Sequence, residues 1–221
     1  MGSRCNLSLS LESHSRERMA DVRIVFRRRK PMKTYLPLLP FVAFLGTAIA
    51  QPTVIPIVNP LFDQDQLACT AGELTCWVPA ATGWLVGPQT SVEKVSTAQY
   101  PSAPPGGFYV MAIGYTNTTG SMMQTLGDTV QPNTTYTLKI ALGARADVPF
   151  TGYVASLMAG NVPLASDNKV VPVGGTFKTD VIVYHSGPTP AQLGKPLQIY
   201  VKSFGTGQVS VGSVSLTAAV D

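Results

Sequence analysis

Apolar and polar residues alternate with a period of two along three segments of the chain, which is the pattern of a β-strand with one buried face. The clearest segment covers residues 135–142, and the other two cover residues 177–183 and 197–201. The polar residues between the apolar ones, such as Lys139 and Asp180, are expected to face solvent. The residues predicted to face the core are Tyr136, Leu138, Ile140, Leu142, Phe177, Thr179, Val181, Val183, Leu197, Ile199 and Val201.

Weaker strand signals occur at residues 53–58, 83–86, 91–95, 108–113, 122–126, 153–158 and 208–216. Turn-forming residues separate the candidates, as in Pro104-Pro105-Gly106-Gly107 and Gln131-Pro132-Asn133. No stretch of about 11 residues carries a helical stripe that is free of Gly and Pro. About ten short strands at this spacing predict an all-β sandwich or barrel.

Composition and charge agree with this architecture and exclude one class of partner. Only 13% of the residues are charged, and the 20 glycines and 18 prolines suit short strands joined by tight turns. The net charge of +4 is misleading, because nine of the 16 basic residues lie in the first 50 positions. Residues 51–221 carry seven basic and nine acidic residues, without a basic cluster that could neutralise a run of phosphates. We therefore expect no nucleic-acid partner.

The first 50 residues are typical of a leader that does not fold with the domain. Residues 32–50 combine a basic flank, an apolar run and small residues before Gln51, which predicts a signal peptide cleaved after Ala50. The apolar run has about 16 residues, fewer than the roughly 20 that span a bilayer. We therefore expect a secreted or periplasmic protein with no stable membrane insertion after cleavage. Residues 1–31 are either an extension upstream of a true start at Met32 or a long basic flank.

The cysteines agree with export. Cys5 lies in the leader, so Cys69 and Cys76 are the pair that an oxidising compartment would join. Two cysteines do not make an ordinary zinc site, and the single later histidine, His185, is far away in sequence. The sequence therefore predicts a disulfide between Cys69 and Cys76.

Several short motifs occur together in a fixed order: Ile57-Val58-Asn59-Pro60-Leu61-Phe62-Asp63, then Gly83-Trp84, then Gln131 to Leu138, then Lys195-Pro196-Leu197-Gln198-Ile199, and finally residues 209–217. Over residues 54–217 this order resembles the galactose-binding-like jelly rolls of secreted bacterial proteins. The resemblance implies a jelly-roll β-sandwich of about eight to ten antiparallel strands in residues 51–221. Many such domains are carbohydrate-binding modules, so the resemblance also implies a carbohydrate or cell-surface polymer as partner.

The resemblance also implies a possible structural calcium ion between the first and last strands. Asp63 stands at the acidic position of the opening motif, whereas Ser213 replaces the usual Asp or Asn near the end. Calcium prefers six to eight oxygen ligands, several of them anionic. Asp63 is thus the candidate ligand, with a solvated turn as the alternative, and no other cofactor is expected.

No catalytic motif stands out. The chain lacks a Gly-x-Ser-x-Gly motif, and the nine acidic residues after position 50 are scattered rather than paired. Sugar recognition needs aromatic faces and a few polar groups, which the residues around 99–108 and 145–153 can supply. The predicted ligand-binding residues are Tyr100, Tyr109, Arg145, Asp147, Phe150 and Tyr153.

The two tryptophans are expected to be structural. Trp84 matches a core position of the resembled family, and Trp77 is expected to cover the disulfide beside Cys76. The resulting hypothesis is an exported, non-catalytic module that binds carbohydrate weakly. The alternatives that stay open are a structural or adhesive protein that contacts other proteins and, as a third hypothesis, an enzyme.

Overall fold

The computed structural model describes residues 51–65, 67, 76–115 and 118–221, and these residues form a sandwich of two antiparallel β-sheets. The strands are β1 (Thr53–Ile55), β2 (Cys76–Val78), β3 (Leu85–Val86), β4 (Thr90–Lys94), β5 (Tyr109–Ile113), β6 (Ser121–Thr129), β7 (Thr134–Ala144), β8 (Gly152–Ala159), β9 (Val162–Asp167), β10 (Thr176–His185), β11 (Pro196–Phe204) and β12 (Val209–Val220). The predicted all-β sandwich is confirmed. No helix among the described residues is long and apolar enough to cross a membrane.

The larger sheet contains seven strands in the order β10-β7-β12-β5-β4-β2, with β1 added beside β12. The smaller sheet contains five strands in the order β3-β6-β11-β8-β9. Every pair of neighbouring strands is antiparallel, so one face of each sheet can pack inward while the other faces solvent. The longest strands, β7 and β12, lie next to each other near the centre of the larger sheet.

The core lies between the inner faces of the two sheets, where the alternation of the sequence places it. Tyr136, Leu138, Ile140 and Leu142 of β7 are all buried there, as predicted. From the smaller sheet, β11 contributes Leu197, Ile199 and Val201 to this core, also as predicted. Removing such side chains from water is the main favourable term for a fold of this kind.

Two strands, β2 and β9, are absent from the sequence prediction. β9 is joined to β8 by the two-residue turn Gly160-Asn161, and both residues have a positive φ, 55° and 65°. Gly and Asn tolerate this region of the backbone map and form the turns that suit two-residue hairpins. The Gly-Asn dipeptide was therefore a hairpin signal that could have located β9.

The predicted orientation of β10 is wrong. The structure buries Asp180 and Ile182 of this strand, whereas Val181 and Val183 are about half exposed. The apolar pattern misleads because β10 is the edge of the larger sheet, where the outer face meets no second layer. Asp180 is tolerated inside because it receives a hydrogen bond from Tyr153 in the opposite sheet.

A second, smaller apolar cluster lies on the outer face of the larger sheet. Val95, Tyr100 and Val110 form it, and Phe177 packs against it. Side chains of β4 and β5 alternate between the two faces, so that Val92 and Met111 join the main core while their neighbours point outward. The segment after β4 thus covers part of the outer face and leaves the rest open.

Candidate functional site

A cavity of about 650 Å³ lies on the outer face of the larger sheet, beside the smaller cluster. Its lining combines small, apolar and charged residues from β2, β4, β5 and the segments that flank β7 and β12. The residues that matter for its chemistry are Trp77, Ser91, Glu93, Ala112, Tyr115, Arg145 and Gln208. Apolar walls that meet a few convergent polar groups in a concave site are common in small-molecule sites, and this cavity has both.

The strand register places an aromatic ring directly beside a carboxyl group. Trp77 on β2 is the cross-strand partner of Glu93 on β4, and Glu93 in turn pairs with Val110 on β5. Side chains directly opposite each other on antiparallel strands lie about 5 Å apart at their Cβ atoms. Trp77 is 56% exposed, so its ring faces the cavity and does not lie in a core. The expectation that Trp77 is a core residue is therefore wrong, whereas the expectation that it covers a disulfide at Cys76 stays a prediction, because Cys69 lies outside the described residues.

Two polar side chains donate hydrogen bonds to the Glu93 carboxyl. Gln208 Nε2 donates a hydrogen bond to Glu93 Oε1 at 3.2 Å, and Arg145 Nη1 donates to Glu93 Oε2 at 3.4 Å. Gln208 is buried, and its Oε1 accepts a hydrogen bond from the same Arg145 nitrogen at 3.2 Å. The amide therefore joins the two charged groups and fixes the direction in which the carboxyl points.

Burial and the neighbouring positive charge act in opposite directions on the pKa of Glu93. Burial raises the pKa of its carboxyl above the ordinary value, while the Arg145 guanidinium and the Gln208 hydrogen bond lower it; the net result is a raised pKa. A raised carboxyl pKa in a cavity is typical of groups that hold a proton and release it. Glu93 is thus the strongest candidate for proton transfer among the described residues.

Arg145 is held on its far side by Asp147. Its Nε donates to Asp147 Oδ1 at 2.9 Å, and its Nη2 donates to Asp147 Oδ2 at 2.7 Å. This two-point contact lowers the pKa of the Asp147 carboxyl, mainly through the hydrogen bond from Arg145. The two residues follow β7 directly, so the end of that strand sets their position.

The predicted ligand-binding residues occupy two kinds of position. Arg145 lines the cavity and contacts Asp147, as the sequence prediction placed them together. Tyr100 and Tyr153 are buried, with 1% and 2% of their surface exposed, and present no free ring face to a ligand. Phe150 forms an edge contact with Tyr153 and, like Tyr109, packs against the main core while partly exposed.

Two further sequence predictions stay untested. Asp63 is exposed, and the described residues contain no group of three or more acidic, His or Cys side chains that could hold a metal ion. The calcium ion proposed for Asp63 remains a prediction. Cys69 lies outside the described residues, so its disulfide with Cys76 remains a prediction as well.

The fold and the cavity together define an all-β sandwich with a carboxyl-bearing cavity on the outer face of one sheet. Residues 53–217 match the model of the HpiC1-like family, described as HpiC1 cyclase, and the chain belongs to this family. No curated protein matches the chain significantly.

Solved structures of cyclases from Fischerella share the fold. The Stig cyclase Fisc from Fischerella sp. TAU, in complex with (3Z)-3-(1-methyl-2-pyrrolidinylidene)-3H-indole, is 25% identical with a TM-score of 0.66. The alignment covers 76% of this chain and 98% of that one. A cyclase from the same source in complex with 4-(1H-indol-3-yl)butan-2-one is also 25% identical, with a TM-score of 0.64 and coverage of 75% and 97%.

Family membership corrects several expectations drawn from the sequence. The resemblance to galactose-binding-like modules pointed to the wrong family, although it pointed to the right architecture. The hypotheses of a non-catalytic module or an adhesive protein, and of a carbohydrate partner, are overturned because the matching family is that of a cyclase. Catalytic motifs in the sequence do not reveal this cavity, because Glu93 contacts Arg145 and Gln208, which lie 52 and 115 positions away in the chain.

Proposed function

We propose that this protein is an enzyme that closes a ring within a flat, largely apolar substrate, and that Glu93 gives and takes the proton. The observation that carries the proposal is the pairing of Trp77 with Glu93 in one wall of the cavity. Membership of the cyclase family supports it. Because one carboxyl group is sufficient to move a proton, the reaction needs no nucleophile motif.

The lining of the cavity favours an aromatic substrate with one polar end. Trp77 and Tyr115 offer exposed rings, and Pro79, Val86 and Pro88 add apolar surface. Stacking and edge contacts between such rings and a ligand contribute about 0.5–1.5 kcal/mol beyond burial of area. The indole compounds bound to the Fischerella cyclases support an indole as the aromatic part.

The proposed reaction begins when the Glu93 carboxyl transfers a proton to one carbon of a substrate double bond. The π bond breaks, which leaves a carboxylate on Glu93 and an electron-poor carbon at the other end of that bond. A second carbon–carbon double bond of the same substrate molecule then donates its electron pair to the electron-poor carbon, and the new bond closes the ring. The cation left by ring closure loses a proton, and the Glu93 carboxylate accepts it. No atom is gained or lost, so the product is an isomer of the substrate.

Arg145 and Gln208 assist by acting on Glu93 after it has lost its proton. Both donate hydrogen bonds to its carboxyl oxygens, and such bonds favour the charged form. Burial acts in the opposite direction and favours the neutral form. Because these two influences oppose each other, Glu93 can be both protonated and charged. A proton donor that must be regenerated in each reaction cycle needs both forms.

The test is an isomerisation assay. An indole with an unsaturated side chain is incubated with the protein, and the product is detected as a compound of unchanged mass that has gained a ring and lost a double bond in its NMR spectrum. We expect Glu93→Gln to reduce the rate about 100-fold or more, the usual contribution of a positioned acid. Full activity of Glu93→Gln would contradict the proposal.

Binding can be measured separately by calorimetry with 4-(1H-indol-3-yl)butan-2-one. We expect Trp77→Ala to weaken binding about tenfold, because it removes one ring contact. Phe108→Ala is the matched control, since Phe108 is a similarly exposed aromatic residue that does not line the cavity. Equal losses in the two variants would show that the compound does not bind beside Trp77.

A further inference from the structure

The guanidinium of Arg145 divides its hydrogen bonds unequally between two carboxylates. Its Nε and Nη2 contact Asp147 at 2.9 and 2.7 Å, whereas its Nη1 reaches Glu93 only at 3.4 Å. A guanidinium is planar and rigid, so fixing one edge fixes the position of the opposite edge. The contact with Asp147 therefore limits how closely Arg145 can approach Glu93.

The two carboxylates have different surroundings. The side chain of Asp147 is 52% exposed, while that of Glu93 is only 17% exposed and opens toward the cavity. A carboxylate in water does not need Arg145 for its own solvation. The pairing with Arg145 therefore adds little to the stability of a half-exposed Asp147 carboxylate. The two-point contact is better explained by its effect on Arg145 than by its effect on stability.

We propose that Asp147 is a positioning residue that holds the Arg145 guanidinium away from Glu93 and so keeps the Glu93 carboxyl able to hold a proton. The role of Glu93 in this statement rests on the function proposed above. Asp147 does not itself line the cavity, and it acts on Glu93 only through Arg145 and through its own charge. Its removal would let the guanidinium move toward Glu93 and stabilise the carboxylate form.

The other groups around Glu93 add no further charge that would act on its carboxyl. The neighbours from β2 and β5 are Trp77 and Val110, which carry no charge. Tyr100, from the segment after β4, is a buried phenol whose pKa is raised mainly by burial, so it stays neutral. Gln208 is a neutral amide. Among the described residues, Arg145 and Asp147 are the charged groups that act on the Glu93 pKa.

The experiment follows the ionisation of Glu93 directly by NMR. The chain contains four glutamates, Glu12, Glu17, Glu73 and Glu93, so labelling glutamate with ¹³C at the side-chain carboxyl gives few signals. The signal missing from Glu93→Gln assigns Glu93. We expect Asp147→Asn to lower the titration midpoint of Glu93 by about one pH unit, the size of effect expected of a cation that moves closer. Asp128→Asn, which removes an exposed carboxyl on β6, is the control and should leave the midpoint unchanged.

A double-mutant cycle separates positioning from simple loss of a negative charge. If Asp147 acts through Arg145, Asp147→Asn should shift the Glu93 midpoint strongly in the wild-type background and only slightly in the Arg145→Gln background. Equal shifts in both backgrounds, or no shift in the wild-type background, would overturn the proposal. If Arg145→Gln does not fold, Arg145→Lys takes its place, because an ammonium keeps the charge but cannot make the planar two-point contact with Asp147. An equal shift of the Glu93 midpoint in the wild-type and Arg145→Lys backgrounds would likewise overturn the proposal.

The titration needs no substrate, so its outcome is independent of the proposed reaction. Loss of the Glu93 role would appear as full activity of Glu93→Gln, whereas loss of the Asp147 role would appear as an unchanged midpoint. Where turnover is measurable, Asp147→Asn should also move the pH profile of the rate to lower pH. Asp147→Glu keeps the charge on a side chain that is one methylene longer, so it should restore most of the profile.

Discussion

Glu93 and Asp180 are both largely buried carboxyl groups with a raised pKa, but they lie on opposite faces of the larger sheet. Glu93 opens into a cavity and contacts an arginine. Asp180 lies between the sheets, 1% exposed, where Tyr153 Oη donates a hydrogen bond to it at 2.9 Å and the nearby Asp167 raises its pKa further. A raised pKa is therefore shared by both groups, and what distinguishes Glu93 is the cavity and the counter-charge beside it.

The largest expected effect concerns the rate of ring closure. Glu93→Gln should reduce it about 100-fold or more, whereas Asp180→Asn should leave it within about twofold of the wild type. The reason is that Asp180 has no access to the cavity lining. Both variants are measured in the same isomerisation assay. A loss of rate in Asp180→Asn equal to that in Glu93→Gln would remove the distinction between the two carboxyl groups.

The two tryptophans differ in the same way as the two carboxyl groups, since one is buried and the other lies at the cavity. Trp84 is buried in the main core and donates a hydrogen bond from Nε1 to the Asn59 carbonyl at 3.2 Å, while Trp77 lies at the cavity. We expect Trp84→Ala to reduce the free energy of unfolding by about 3–5 kcal/mol. Trp77→Ala should change it by less than about 1 kcal/mol. Urea unfolding of both variants measures this difference, and similar losses would place Trp77 in a core.

Two buried tyrosines provide a smaller contrast in stability. The Tyr153 hydroxyl donates to Asp180 and accepts from the Val170 amide, whereas the Tyr100 hydroxyl lies beside Ser210 without hydrogen-bonding geometry. Tyr153→Phe should cost about 1–3 kcal/mol because it leaves buried polar groups unsatisfied. Tyr100→Phe should be close to neutral. The same unfolding measurement decides, and a larger loss in Tyr100→Phe would show that its hydroxyl is bonded in solution.

The smallest expected effect is the pH dependence of stability. Folding raises the pKa of Asp180, chiefly through burial, so the folded state favours the protonated form. Its contribution to stability is therefore greatest below the ordinary carboxyl pKa and is lost as the pH rises through the folded pKa. Between about pH 4 and pH 8, the melting temperature of the wild type should fall by roughly 2 °C more than that of Asp180→Asn. Parallel curves for the two proteins would mean that Asp180 ionises without cost.

The alternation of the sequence located most of the strands because a sandwich buries one face of each. It found the buried side of β7 and β11 correctly, since both strands are central in their sheets and face the core along most of their length. It failed on β10, an edge strand whose outward valines meet no second layer. The short strand β2 was missed as well, because three residues are too few to display a period.

The candidate site was less accessible to sequence reasoning than the fold. Arg145 and Asp147 are close in sequence, so their pairing could be predicted from the chain alone. Glu93, Gln208 and Trp77 come from separate parts of the chain, and only the strand register places Trp77 opposite Glu93. On its own, Glu93 has the appearance of an ordinary polar residue on the solvent side of a strand.

The sequence by itself determined the all-β class and the central strands, because local alternation and turn residues act over a few positions. Tertiary structure alone decided which buried carboxyl faces a cavity and which tryptophan meets it. These properties depend on strand order, and strand order joins residues more than 100 positions apart, such as Glu93 and Gln208, whose separation is 115. Pairing at that distance is set by the packing of the whole sandwich, which no local pattern encodes.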